Sequence, residues 1–98
     1  MSLTTRLDPA AVEEWAEAFD WYEMKVPGRG SMFNAAVEQA LDHIQRWPLL
    51  HPTVFEDVRM YAMPDYPYSI YYVVEENYIQ ILSVFHQRRN PRDWQQRR

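Results

Sequence analysis

An apolar run, Tyr78-Ile79-Gln80-Ile81-Leu82-Ser83-Val84-Phe85, delivers His86, Arg88 and Arg89 to one place, Asn90-Pro91 stops the chain there, and Trp94 follows three residues later. An imidazole, with an unperturbed pKa of ~6.5, is the side chain best suited to move protons near neutral pH. Guanidinium forks match the geometry of phosphate and carboxylate. A strand ending in one His and two Arg therefore presents a cationic cluster that can hold an anion and donate or accept a proton. A purely structural reading stands beside this one. His86 shares strand parity with Leu82 and Val84 and would border a packed face, Arg88 and Arg89 would pair with Glu56, Asp57, Glu75 or Glu76, and Trp94 would cap the core and anchor the tail.

The charge distribution sharpens the contrast. Residues 1–85 carry five cationic side chains against thirteen acidic ones, a balance of −8, whereas residues 86–98 carry five Arg against Asp93 alone, a balance of +4. Broad binding to free nucleic acid requires a basic surface, because phosphate contacts supply most of the sequence-independent affinity. Only the basic C-terminal segment, 86–98, could supply one. Action on a protein, or on RNA held by a larger machine, fits an acidic chain better. There is no cysteine, so disulfides and thiolate metal sites are excluded. His43, His51 and His86 show no ligand spacing, and neither a metal nor a cofactor is expected. Gly28-Arg29-Gly30 reads as a turn, not as a phosphate loop. No stretch approaches the ~20 apolar residues of a membrane helix, and Met1-Ser2-Leu3-Thr4-Thr5 lacks the pattern of a signal peptide. The expected location is the cytoplasm.

The elements that must position these residues follow from pattern. The length of 98 residues predicts a single domain, 1–98. Leu3 to Leu7 alternate loosely, as in a short first strand. Asp8-Pro9 predicts a helix start with Asp as N-cap and Pro at the first helical position, and Glu13, Glu14 and Glu17 would complement the helix dipole. Val12, Trp15, Ala16, Phe19, Tyr22 and Val26 recur at helical spacing and predict the buried stripe, ending at Pro27-Gly28. A second helix is predicted from about Ser31 to Trp47, with Phe33, Ala36, Val37, Ala40, Leu41 and Ile44 inward and Pro48 as the stop. The short connection implies a helical hairpin. Three segments rich in β-branched and aromatic residues follow, roughly Val54–Tyr61, Tyr68–Glu75 and Tyr78–Phe85, the last two joined at Glu76-Asn77 as a hairpin. Residues 92–98 read as a tail or one helical turn. The predicted fold class is α+β, in the order β-α-α-β-β-β, with the helical hairpin packed on one face of a small antiparallel sheet.

Several strings together resemble one family. They are Trp21-Tyr22-Glu23, Phe33-x-x-Ala36-Val37, Ala40-Leu41-x-x-Ile44, His51-Pro52, Val58-Arg59, Pro67-Tyr68-x-Ile70-Tyr71-Tyr72 and His86-x-Arg88-Arg89-Asn90-Pro91-x-x-Trp94. From about residue 8 to 94 the chain resembles the RelE/ParE superfamily, the toxins of type II toxin–antitoxin (plasmid stabilisation) modules. The resemblance implies a growth-inhibiting toxin neutralised by a cognate antitoxin protein. It also implies two activities. RelE-type members cut mRNA on the ribosome, and here His86 would be acid or base, with Arg59 and Arg88 on phosphate and Trp94 or Tyr68 stacking a base. ParE-type members poison DNA gyrase, a protein target.

RelE-like cutters carry several Lys and Arg on their middle strands. Here Pro52 to Phe85 contain one basic residue, Arg59, against Glu56, Asp57, Asp65, Glu75 and Glu76, and position 69 is Ser. The terminal string is also more ParE-like. The expectation is a ParE-like toxin that binds a protein target through Arg59, His86, Arg88, Arg89 and Trp94. Its antitoxin would dock on the helical hairpin, including Trp21, which falls off the apolar stripe, and Tyr22. A ribosome-dependent nuclease and a non-toxic, repurposed binding module remain the alternatives.

Overall fold

A computed structural model describes residues 3–98; Met1 and Ser2, part of the N-terminal segment read above, lie outside the described residues. The chain runs β1 (Thr4–Leu7), α1 (Pro9–Lys25), α2 (Arg29–Arg46), β2 (Thr53–Phe55), β3 (Val58–Ala62), β4 (Tyr68–Val74), β5 (Tyr78–His86) and α3 (Arg92–Gln95). The sheet order is β1-β5-β4-β3-β2. The predicted hairpin-on-sheet architecture stands, with two differences in the sheet. Its edge strand β1 runs parallel to β5, so the sheet is mixed, not antiparallel throughout. The segment read as one strand from Val54 is two, β2 and β3, folded at Glu56-Asp57, where Glu56 takes a left-handed φ of 51°.

The α1 start differs in detail. Pro9 occupies the first turn, but the Asp8 side chain makes no capping bond; the Asp8 carbonyl accepts from Ala11 and Val12 instead. Glu13, Glu14 and Glu17 all fall beyond that first turn. The buried face is also rotated from the expected stripe. Ala11, Glu14 and Ala18 are buried, while Val12 is 51 % exposed. Small alanines let α1 lie close against β5, and the bulkier stripe turns toward α2 and solvent. There Trp15 donates to Asn34 (2.8 Å), and Val12, Trp15, Ala16 and Phe19 line an open groove of about 330 Å³.

Two glycines make the hairpin possible. Gly28 sits at φ 95°, a left-handed conformation that costs a glycine little. At Gly30 an added Cβ would lie 2.7 Å from the Phe19 ring, so only hydrogen fits where the helices cross. No residue at the start of α2 caps it by side chain; Glu23, from α1, does the work. Its carboxylate accepts from the backbone N–H of Gly28 (3.0 Å) and of Gly30 (3.0 Å), satisfying donors the helix leaves open.

The sheet is covered on both faces. Phe33, Val37, Ile44, Ile70, Tyr72, Ile79, Ile81 and Val84 form the core beneath the helices. Val58, Val73, Leu82 and Phe85 form a second cluster on the other face, closed by Trp94 of α3. A register shift between β4 and β5 decides which residues reach which face: Tyr71 pairs with Ser83 but Tyr72 with Ile81, leaving Leu82 as the extra residue. Such a bulge reverses the alternation beyond it. Leu82 therefore points to the second face, while Val84 faces the helices. The expected common parity of Leu82, Val84 and His86 breaks at that point.

Candidate functional site

Beyond the bulge, β5 carries His86 to the helical side, where it meets the C-terminal half of α1. Trp21, Tyr22, Tyr68, Pro67, Glu17 and Arg89 join it around a cleft of about 380 Å³, floored by Ala18, Val84 and Glu14. The residues expected to bind an antitoxin, Trp21 and Tyr22, thus share one cleft with two expected to bind a target, His86 and Arg89. Trp21 is 55 % exposed, and its ring meets Tyr22 edge-on at 5.1 Å. Tyr22 stacks on Phe33 (5.1 Å), which fixes it from the core side. Tyr68 packs edge-on against His86 at 5.1 Å. Burial raises the phenol pKa of Tyr68, and that of Tyr22 with a smaller contribution from Tyr66, so both stay protonated at neutral pH.

The His86 ring has a defined orientation. Its Nδ1 accepts the backbone N–H of Arg88 (3.1 Å). A neutral imidazole that accepts at Nδ1 carries its proton at Nε2. His86 is consequently arranged as a hydrogen-bond donor, and its basic lone pair is already engaged.

Glu14 anchors the C-terminal segment. It is 8 % exposed, and its Oε1 accepts from Ser83 Oγ (2.8 Å), the Val84 N–H (3.2 Å) and Arg97 Nη1 (3.0 Å). Its Oε2 accepts from Arg97 Nη2 (3.0 Å) and Arg89 Nη1 (3.4 Å). Arg97 also donates to the Leu82 carbonyl (3.0 Å). Arg89 bridges from Glu14 to Asp93 (3.1 Å) while its guanidinium lies over Phe85. Arg98 forks onto Asp57 (2.9 and 2.6 Å) and reaches Glu75 (3.3 Å), and this holds the Asp57 carboxyl below its ordinary range. The acidic partners Asp57 and Glu75 thus serve Arg98, not Arg88 or Arg89. Arg88 and Arg92 have no ion pair among the described residues.

Two expected target contacts are placed elsewhere. Trp94 is 3 % exposed and stacked on Tyr71 at 3.9 Å, so it secures the tail and leaves no ring face for a base or a partner. Arg59 donates to the carbonyls of His51 and Leu49 and so belongs to the α2–β2 connection. Its register partner on β4 is Tyr72, whereas that of His86 is Tyr68. Four residues along a strand are ~13 Å, so Arg59 and His86 do not share a site. Glu14 and Arg97 escaped the sequence reading. Their signal was a carboxylate lying between Ala11 and Ala18 on a small-residue helix face, in a chain with surplus arginine at its end.

The arrangement can recognise a partner by aromatic contact and directed hydrogen bonds. The hairpin on a mixed sheet also has counterparts among solved structures. One from a chromosomal ParDE toxin–antitoxin system of P. aeruginosa superposes with a TM-score of 0.66 at 16 % identity, covering 87 % of this chain and 96 % of that one. No curated protein matches in sequence. The family model for the ParE toxin of the type II toxin–antitoxin system parDE matches residues 5–91. The chain belongs to the ParE toxin family. No helix among the described residues is long and apolar enough to cross a membrane.

Proposed function

We propose that this chain arrests growth by binding a protein target, with DNA gyrase the target implied by its ParE character, and that a cognate antitoxin silences it by occupying the cleft. The observation that carries the reading is the cleft itself. Trp21 and Tyr22 stand beside His86 and Arg89, so a segment seated on the aromatic wall would cover those two side chains at the same time. Trp and Tyr are the residue types that most often anchor interfaces. Target binding rests on His86 as an Nε2–H donor, on Arg89, and on Arg88, which has no ion pair among the described residues. In the nuclease alternative this geometry removes Arg59, which lies away from His86, and leaves His86 only the role of proton donor.

The test is to induce the chain alone in a bacterial host, map mRNA 5′ ends within minutes, and assay purified gyrase with purified toxin. Intact mRNA, filamentous arrest and inhibited supercoiling are expected, with all effects relieved by co-expressed antitoxin. Cuts inside translated codons that vanish in His86→Ala would overturn the reading in favour of a nuclease. Normal growth would indicate the repurposed binding module.

A further inference from the structure

The fold brings together two histidines that the sequence separates. His43, in the last turn of α2, and His51, in the α2–β2 connection, place their Nε2 atoms 2.9 Å apart. Their ring centres are 5.1 Å apart, so the rings confront each other nitrogen to nitrogen. Lone pairs in that arrangement point at one another and do not converge on a third atom, and among the described residues no further His, Asp or Glu joins them to hold a metal. This is the geometry of a shared proton. The Tyr61 ring packs against both imidazoles, at 4.9 Å from His43 and 4.8 Å from His51.

The pair closes the segment Trp47 to Pro52, whose other ties run through its backbone: the Trp47 N–H donates to His43 O (3.0 Å) and the Met60 N–H to Pro52 O (3.3 Å). Tyr72 donates to Pro48 O (2.9 Å), and Arg59 donates to Leu49 O and His51 O. We infer that His43 and His51 form a proton-counting latch on the α2–β2 connection, closed while the pair carries no more than one extra proton and open when it carries two. In the neutral pair one Nε2–H donates to the other Nε2. A first added proton goes to the outward Nδ1 of the donor ring, leaving the N–H···N bond in place and charge-assisted, with the Tyr61 face beside the cation. A second added proton puts N–H groups on both facing nitrogens and two positive charges at contact distance. The rings must then part, and His51 carries its segment with it.

The surrounding charges favour opening. Arg59 holds the His51 carbonyl, so a cationic His51 stands against a guanidinium. On α2 the flanking carboxylate, Asp42, is already paired with Arg46 (3.1 Å); Tyr61 packs on both rings and Tyr72 reaches Pro48 O, and both are phenols. Burial, and then the proximity of His43, lower the His51 pKa below its ordinary value, in the sense that a reluctant second proton requires.

The test is an NMR titration of the histidine Hε1 resonances from pH 8 to 4.5, with amide exchange measured across residues 47–52 at each pH. The expected result is two macroscopic steps for the pair, separated by more than about one pH unit. The lower step should coincide with a fall of about tenfold or more in the protection factors at 47–52, exchange being corrected for its intrinsic base catalysis. In His51→Gln the lower step should disappear and the protection factors at 47–52 should no longer change with pH in that range. Coincident titration of both rings, or two steps with unchanged protection of the loop, would overturn the latch. The wild-type titration decides the matter even if the variant fails to fold.

Discussion

Glu14 shows how much one buried side chain can organise. Five donors from α1's neighbours converge on it, among them both nitrogens of the Arg97 fork. Removing one partner from such a group leaves the others desolvated without compensation. Glu14→Gln should cost about 2–3 kcal/mol in urea denaturation, at the lower end for a broken buried pair because Arg97, at 18 % exposure, can turn to water. A second substitution of Arg97→Met on that background should recover part of the loss, since no buried charge then lacks a partner. At the cleft mouth the argument concerns binding and not stability. Trp21 is half exposed in the free chain, so Trp21→Ala should leave the melting temperature nearly unchanged. It should weaken antitoxin binding by about 2 kcal/mol, roughly thirty-fold, as measured by calorimetry.

At the scale of elements, the hairpin depends on a close approach that the sequence displays only as Gly28-Arg29-Gly30. Gly30→Ala would drive a methyl group against Phe19 and the Glu23 carboxylate, which sits 2.9 Å from the added Cβ and caps α2. The expected cost is about 1–3 kcal/mol from overpacking, with some cap lost as well. Gly28→Ala meets no neighbour and should cost only the left-handed backbone penalty of about 1 kcal/mol. Chemical denaturation of the two variants side by side checks the order. The elements themselves were largely legible, because helical and strand periodicities are local. What was not legible depended on partners distant in sequence. The parallel β1–β5 pairing needs the whole hairpin to intervene, and the bulge at Leu82 shows only when β4 is laid against β5. The face of α1 was misread by one residue because Ala11 and Ala18 mark a tight contact more faithfully than Val12 does. The strand end brings His86 and Arg89 into the cleft, whereas Trp94 caps the core, as its structural reading has it.

For the molecule as a whole, net charge and the fate of the C-terminal arginines lead to the same expectation. The chain carries −4 overall, and its basic segment is largely spent internally: Arg89, Arg97 and Arg98 are neutralised by Glu14, Asp93, Asp57 and Glu75. Arg88 and Arg92 alone cannot neutralise enough phosphates for appreciable affinity, because each contact contributes only one unit to the salt dependence. In a filter-binding assay with single-stranded RNA or duplex DNA at ~0.15 M salt, binding should be no tighter than the ~10⁻⁴ M typical of weak non-specific association. Pairing also gives the molecule an acid-sensitive side. The lowered His51 pKa means that the unfolded chain binds more protons than the folded one below the ordinary imidazole value. Stability from this source is complete above about pH 6.5 and falls as pH drops from there toward the lowered folded value. The Asp57 carboxyl, held down chiefly by its bond from Arg98, acts in the same direction at much lower pH: its contribution is present above the ordinary carboxylate range and is lost as pH falls through the folded value, and its exposure keeps it small. Denaturation midpoints measured from pH 8 to 4.5 should therefore begin to fall near pH 6.5, and His51→Gln should remove that first decline while leaving the acid limb intact. A midpoint that stays level down to pH 5 in the wild-type chain would mean that the two histidines bind protons as freely folded as unfolded, and the contact between them would then contribute nothing to the fold.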